Sequence, residues 1–408
     1  MQPADKSNLL RSEAELRLEQ SRRDKAQRIK DLGSPIQITG KALALEVRGS
    51  VAWVAENTTV VRKLDLETGN TLQLFKGHTA PVTSLAFVDR VPRSGKSDLL
   101  VTGSWDKTIK VWDTETKQVL SSTDAHSDFV KALHVVHPLG LLVSSGSDKV
   151  VRLWDLSSVG DGQPLKSVGV LTEHTRPVEA LETRVLSEKA AVLYTADTMG
   201  IIRAWDITKE DDEASPQWKI KLVDELKHHR TRVDDMVHGD GHLWTASTDE
   251  SVQITPHPVL PPTPGAKAIS PIQHPTAVKT ILPLSLTSLG EPYLLTGSGD
   301  VIRVYDVSSL HEPELIAETD GHWHDVTGLR LWIREAKIEG EPGKVRREPW
   351  IVSTSLDGTL RRWKLIELLH PPPPPPIVPS TKTKLADAPM DVLDEQEERE
   401  LAELMGED

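Results

Sequence analysis

The 408-residue chain contains no cysteine, which excludes disulfides, thiolate-held metals and every thiol nucleophile at once. A metal would have to rest on histidine and carboxylates. The sequence also lacks any run of about 18 apolar residues, the length a membrane-spanning helix needs. Its start, MQPADKSNLLRSEAELR, carries charges where a secretory signal requires an apolar stretch. A soluble, intracellular protein of the cytoplasm and/or nucleus is expected. A basic surplus is missing too, because the net charge is −13 and the segment beyond residue 370 is strongly acidic. Wrapping nucleic acid is therefore disfavoured, since phosphate binding draws most of its affinity from clustered Lys and Arg.

What is present is a repeat. LLVTGSWDKTIKVWD (99–113) is followed by LLVSSGSDKVVRLWD (141–155), VLYTADTMGIIRAWD (192–206), HLWTASTDESVQITP (242–256), YLLTGSGDVIRVYD (293–306) and WIVSTSLDGTLRRWK (350–364). In most copies an apolar run, a small hydroxyl residue, a turn Asp and an aromatic recur in that order. A His followed a few residues later by Val precedes each copy: His78, His126, His174, His229, His274 and His322. These histidines stand roughly 45–55 residues apart, the period of four-stranded propeller blades.

From residue 34 to residue 366 the chain resembles the WD-repeat β-propeller family. The family's structural tetrad maps without a gap onto three blades: His78, Thr102, Asp106, Trp112; His126, Ser144, Asp148, Trp154; and His322, Ser353, Asp357, Trp363. Elsewhere Met199 occupies the Asp slot, Thr255 and Tyr305 stand in the Trp slot, and the turn before Asp300 is one residue short. Such blades are expected to be looser, each lost buried hydrogen bond being worth about 1 kcal/mol. In the tetrad, Asp holds His, His reaches the hydroxyl, and the hydroxyl meets the indole N–H. It pairs every buried polar atom. The His, Ser and Asp could suggest a hydrolase triad, but recurrence in blade after blade identifies a staple.

A seventh blade is read before the first repeat, in KALALEV, SVAWVAE, TVVRKLDL and NTLQLFKG, with no His and with Leu64 in the Trp slot. The last blade runs into LIELLH and six prolines, which cannot donate to a ladder. SPIQITG (34–40) alternates like an outer strand, so residues 36–39 are expected to complete that blade and close the ring. The fold class expected is all-β: a seven-bladed propeller with an N-terminal helix and a disordered or short-helical acidic tail. Its parts are a helical extension (1–33), the propeller (34–369), and a proline-rich linker with the acidic tail (370–408).

In this family the outer-to-inner and second-to-third connections share one face, the top. DRVPRSGKSD (89–98) and IREAKIEGEPGKVRREP (333–349) join first to second strands. SSVGDGQP (157–164), TKEDDEASPQ (208–217) and PHPVLPPTPGAK (256–267) join third to fourth. All five insertions thus fall on the bottom, and both tails, the N-terminal helix included, are expected to leave there as well. Lengthened loops on one side of a repeat protein mark a binding side. On the top, residues beside the entry Val or before the turn Asp are expected to line a mouth suited to peptide docking: Trp105, Phe129, Lys131, Glu179, Arg232, Asp234, Lys279 and Leu356.

Residues 5–32 read as a helix ended by Gly33-Ser34-Pro35. It resembles the helix of heterotrimeric G-protein β subunits, and packing on its own propeller and gripping a partner both remain open. PPPPPPIVP (371–379) reads as a polyproline II spacer. Beyond it, Asp394 and Glu397 form a helix start that would put Leu401, Leu404 and Met405 on one side, as a grip for a partner. SGKS (94–97) mimics a phosphate loop but lacks the first Gly, and His228-His229 and HWHD (322–325) give no metal set. No cofactor and no catalytic residue is expected. Lys344, Arg346 and Arg347 form a small basic cluster.

The function implied is a non-enzymatic scaffold, monomeric by itself, within a multiprotein complex. The alternatives are an RNA- or ribonucleoprotein-associated assembly factor, touching nucleic acid indirectly or through that basic loop, and a ubiquitin-ligase substrate receptor. The family's ligase-joining Arg is replaced by Glu115, Ser157 and Thr208, which weakens the last.

Overall fold

The computed structural model describes residues 13–89, 98–210, 217–258, 269–337 and 345–371. The sequence predictions at Lys344, Leu401, Leu404, Met405 and SGKS lie outside them. Seven four-stranded antiparallel sheets form a β-propeller. The first six sheets run in simple chain order. Their innermost strands are Ala42–Arg48, Val82–Val88, Val130–Val136, Val178–Ser187, Val233–Gly239 and Val278–Pro283, and the seventh blade begins with Val326–Lys337.

In the first six blades each second strand is buried at every position or at all but its first, because a sheet sandwiched between neighbouring blades buries both faces. Leu99–Ser104 and Leu141–Gly146 are buried at every position. The cores therefore form between blades. Leu99, Val101, Ile109 and Val111 of the second blade pack with Leu142, Trp154 and Leu156 of the third, each fully buried aliphatic contributing about 1.5–3 kcal/mol.

In the last sheet Ile36–Gln37 pairs with Thr359–Lys364, placing Ile36 opposite Leu360 and Gln37 opposite Thr359. The backbone adds Ile38 N–H to Gly358 O at 2.9 Å and Arg362 N–H to Gly33 O at 2.6 Å. Gly33 has φ of +65°, and a Cβ there would run into the Trp363 indole, so only glycine lets the chain turn onto this edge. After Trp363 the chain coils into a short helix, Leu365–Leu369, which buries Leu365 and Leu368.

The structure departs from two sequence expectations. Segments 333–349 and 208–217 are partly strand rather than loop. The last blade's hairpin stays paired to Lys337 opposite Val345, and the fourth blade's to Glu210 opposite Gln217. The N-terminal helix, Glu13–Arg28, does not lie with the long hairpins. Lys25 reaches Asp300 and Asp320, each at 2.8 Å, and Arg28 reaches Asp320 at 2.7 Å. Asp300 is in a second-to-third turn and Asp320 in an outer-to-inner connection, so both mark the top. Below the helix, Ile29 is fully buried, and the buried Arg361 guanidinium donates to the carbonyls of Ile29, at 2.7 Å, and Leu32. Charge pairing with the top turns overrides the direction in which the edge strand starts.

Candidate interaction surfaces

The tetrads decide which histidines are available for anything else. In the last blade the hydrogen bonds run in one direction. Trp363 Nε1–H donates to Ser353 Oγ at 2.9 Å, Ser353 donates to His322 Nε2 at 2.8 Å, and His322 Nδ1–H donates to Asp357 at 2.9 Å. Burial works against the Asp357 charge, but His322 and Thr359 outweigh it and hold the carboxyl at about 2. His322 itself is pushed down by burial, against the pull of Asp357. The same chain joins His78, Thr102, Asp106 and Trp112 at 2.7–2.8 Å, and His126, Ser144, Asp148 and Trp154 at 2.8–3.0 Å.

The structure corrects the fourth blade. Met199 is not a defective Asp slot, because Asp197, two residues earlier at the strand end, takes the role. It accepts from His174 Nδ1 at 3.0 Å, while Thr195 bridges His174 at 2.7 Å and Trp205 at 2.9 Å. Asp197 also accepts the N–H groups of Met199 and Ile201, so one carboxylate replaces both the strand-end serine and the turn Asp of other blades. The fifth blade keeps His229, Thr245 and Asp249 without an indole. In the sixth, His274 turns its Nδ1 to the Ile272 carbonyl at 3.2 Å and reaches Thr296 at 3.0 Å, and Asp300 serves Lys25 instead. The first blade replaces the motif with a buried ion pair between Glu56 and Arg62.

All seven innermost strands carry a bulge just after their first residue. A bulge re-aims one side chain, and the re-aimed residues form a ring: Leu43, Thr83, Lys131, Glu179, Asp234, Lys279 and Thr327. They line a central cavity of about 410 Å³, together with Trp105, Arg232 and Leu356. Seven of the eight residues expected at the mouth thus converge there. Phe129, the eighth, is not in the cavity wall; it stacks on Trp105 at 5.0 Å between centroids and 17° between planes. Trp105 is 39% exposed and Phe129 37%, a half-open aromatic shelf beside the cavity.

The charges of the mouth are paired: Lys131 with Glu179 at 3.2 Å, Lys279 with Asp325 at 2.7 Å, and Arg232 with Asp234. Deeper in the channel, Arg330 donates to Glu46 at 3.3 Å. Sequence reading missed this inner group. Glu182 is pushed up to about 8 by burial, with the Asp235 charge adding and Arg330 opposing. His134, held to Thr183 at 2.8 Å, is pushed down to about 4 by burial and by His137. The available signal was position: Glu46, His134, Glu182 and Arg330 each stand four residues after the entry residue of their blade. Among the described residues no group of three or more His, Asp or Glu could hold a metal.

A second missed array joins Tyr194 Oη to His257 Nδ1 at 2.7 Å and His257 to Asp224 at 3.5 Å. Tyr194 is fully buried and burial raises it to about 12. With no surface for a substrate, it pins the fourth blade to the fifth.

On the lower face, Arg346 pairs with Glu348, and Arg347 reaches Glu335 at 3.3 Å. Both described arginines of the basic cluster are thus ion-paired within their own hairpin. Arg334 ties that hairpin to Glu67 of the first blade at 2.9 Å.

A closed ring of seven four-stranded blades stapled by His, Ser/Thr, Asp and Trp defines a WD-repeat β-propeller. The protein is a member of that family, and the family model "WD domain, G-beta repeat" matches residues 69–113 and 117–155. An uncharacterized WD repeat-containing protein of Schizosaccharomyces pombe is 27% identical over 378 residues, 90% of each chain. COMPASS component SWD3 of Saccharomyces cerevisiae is 33% identical over 138 residues, covering 33% of this chain and 41% of that one. Nuclear distribution protein PAC1 of Coccidioides posadasii is 35% identical over 114 residues, 24% of each. The crystal structure of the computationally designed Ika8 protein superposes with a TM-score of 0.54 at 19% identity, covering 81% of this chain and 98% of that one; the likeness is one of fold.

Proposed function

We propose that this protein is a non-enzymatic subunit of a multiprotein complex in the cytoplasm or nucleus, holding partner proteins on its top-face mouth, its lower hairpins and the segment beyond residue 370. WD-repeat propellers in general act as protein-interaction scaffolds, and relatives include a protein named as a COMPASS component. The observation that carries the reading here is the Trp105–Phe129 shelf beside a cavity whose charges are already paired. Large aromatics at the rim of a pre-ordered cavity supply binding energy with little further ordering cost. The six repeat histidines are not free for acid–base chemistry, since each is bonded to the Ser or Thr of its own blade.

Affinity purification of the full chain beside Trp105→Ala, Phe129→Ala and a version lacking residues 371–408 tests this. Partners should fall away with the aromatic variants or with the truncation. Identical partners in identical amounts from all of them would refute the reading. RNA association is the weaker alternative, because Arg346 and Arg347 are already ion-paired; it predicts steep salt dependence of RNA retention.

A further inference from the structure

The N-terminal helix is fixed at its C-terminal end and stands off the propeller above. Glu15, Leu18, Glu19, Arg22 and Ala26, at helical spacings of three, four, seven and eleven, present one face across a cleft to Trp323. The cleft measures about 560 Å³, within the usual range of about 300–1,000 Å³ for binding pockets. Trp323 lies in the outer-to-inner connection that enters the last blade, two residues from Asp325, whose pairing with Lys279 links this cleft to the central mouth.

Its charge selects an occupant. Glu19 is bound by Arg23 at 2.7 Å, and Glu15 also has a partner. Arg22 makes no ion pair with any described residue and only adds, from a distance, to the pull on Asp325, so it is the cation left to act. Lys41 and Lys279 add to the same field: His324 beside Trp323 is held down first by burial, and further by Arg22, Lys41 and Lys279 against Asp325. Leu18 is 52% exposed, giving an apolar wall opposite the indole. Trp and Arg flanking one pocket are the residue types that dominate binding energy.

We propose that the cleft between the N-terminal helix and Trp323 docks an acidic peptide segment of a partner protein, with a carboxylate on Arg22 and a neighbouring apolar side chain between Leu18 and Trp323. This rests on the scaffold reading but uses a site separate from the Trp105 shelf.

The test is selection of displayed random heptapeptides on the full-length protein, followed by fluorescence anisotropy of the best peptide against variants. Enriched peptides should be acidic with an apolar residue beside Asp or Glu. Arg22→Glu and Trp323→Ala should weaken the best peptide by about tenfold or more, while Trp105→Ala leaves it within about twofold. A Lys-for-Glu version of the peptide should regain affinity on Arg22→Glu. Arg22→Glu should melt with the parent protein, since no ion pair is removed. A neutral or basic consensus, no enrichment, or unchanged affinity on Arg22→Glu overturns the proposal. Loss on Trp105→Ala alone would overturn it too, while supporting the mouth.

Discussion

Replacing Ser353 with alanine removes the one oxygen that both accepts the Trp363 indole N–H and donates to His322 Nε2. Trp363 is 4% exposed and His322 fully buried, so neither can turn to water. A buried polar group stripped of its partner costs about 1–3 kcal/mol, and two stranded groups predict a loss of about 2–6 kcal/mol. The sixth blade provides an internal control. Thr296→Val keeps the volume and strands only His274 Nε2, because that blade has Tyr305 where the indole stands elsewhere and His274 Nδ1 is satisfied by Ile272 O. Its expected cost is about 1–3 kcal/mol. Urea unfolding followed by circular dichroism measures both. If Ser353→Ala lies within about 0.5 kcal/mol of the parent, or is milder than Thr296→Val, the one-directional hydrogen-bond chain is the wrong account of the staple.

Asp197→Ala should cost about 3–5 kcal/mol, as breaking a buried charge network does, whereas Met199→Ala should stay within about 0.5 kcal/mol; thermal melts separate the two. Two carboxyls give opposite pH signatures. Asp357 falls from the usual 3.8 to about 2, so its contribution of about 2 kcal/mol is complete above pH 4 and disappears as pH drops through 2. Glu182 rises from 4.5 to about 8, so its contribution is complete below pH 4.5 and fades as pH climbs to 8; Glu182→Gln should flatten the melting temperature between pH 5 and 8 and melt above the parent at pH 8. Arg361→Met removes the donor beneath Ile29 O and Leu32 O, and hydrogen exchange of residues 17–32 should rise while the distant second blade keeps its protection.

The sequence alone determined the strands, the number of blades and most of the staples. Alternating side chains, turn Asp residues and a His every 45–55 residues or so are local signals, and each is repeated often enough to be read without coordinates. The ring of residues beside the entry Val was legible for the same reason, since a bulge at one fixed position sends Lys131, Glu179, Asp234 and Lys279 to one cavity. What tertiary structure decided was everything that joins one repeat to another. Asp197 displaced Met199 because its carboxylate lies 3.0 Å from His174 in space, not because it stands in the repeat's slot. Glu182 became a weak acid through burial beside Asp235 and opposite Arg330, residues of other blades. The helix settled on the top seam through Lys25, Arg28 and Arg361, whose partners are roughly 275 to 330 residues away in the chain. Periodicity encodes a residue's face within its own strand. It carries no information about which charge a closed ring will bring beside it.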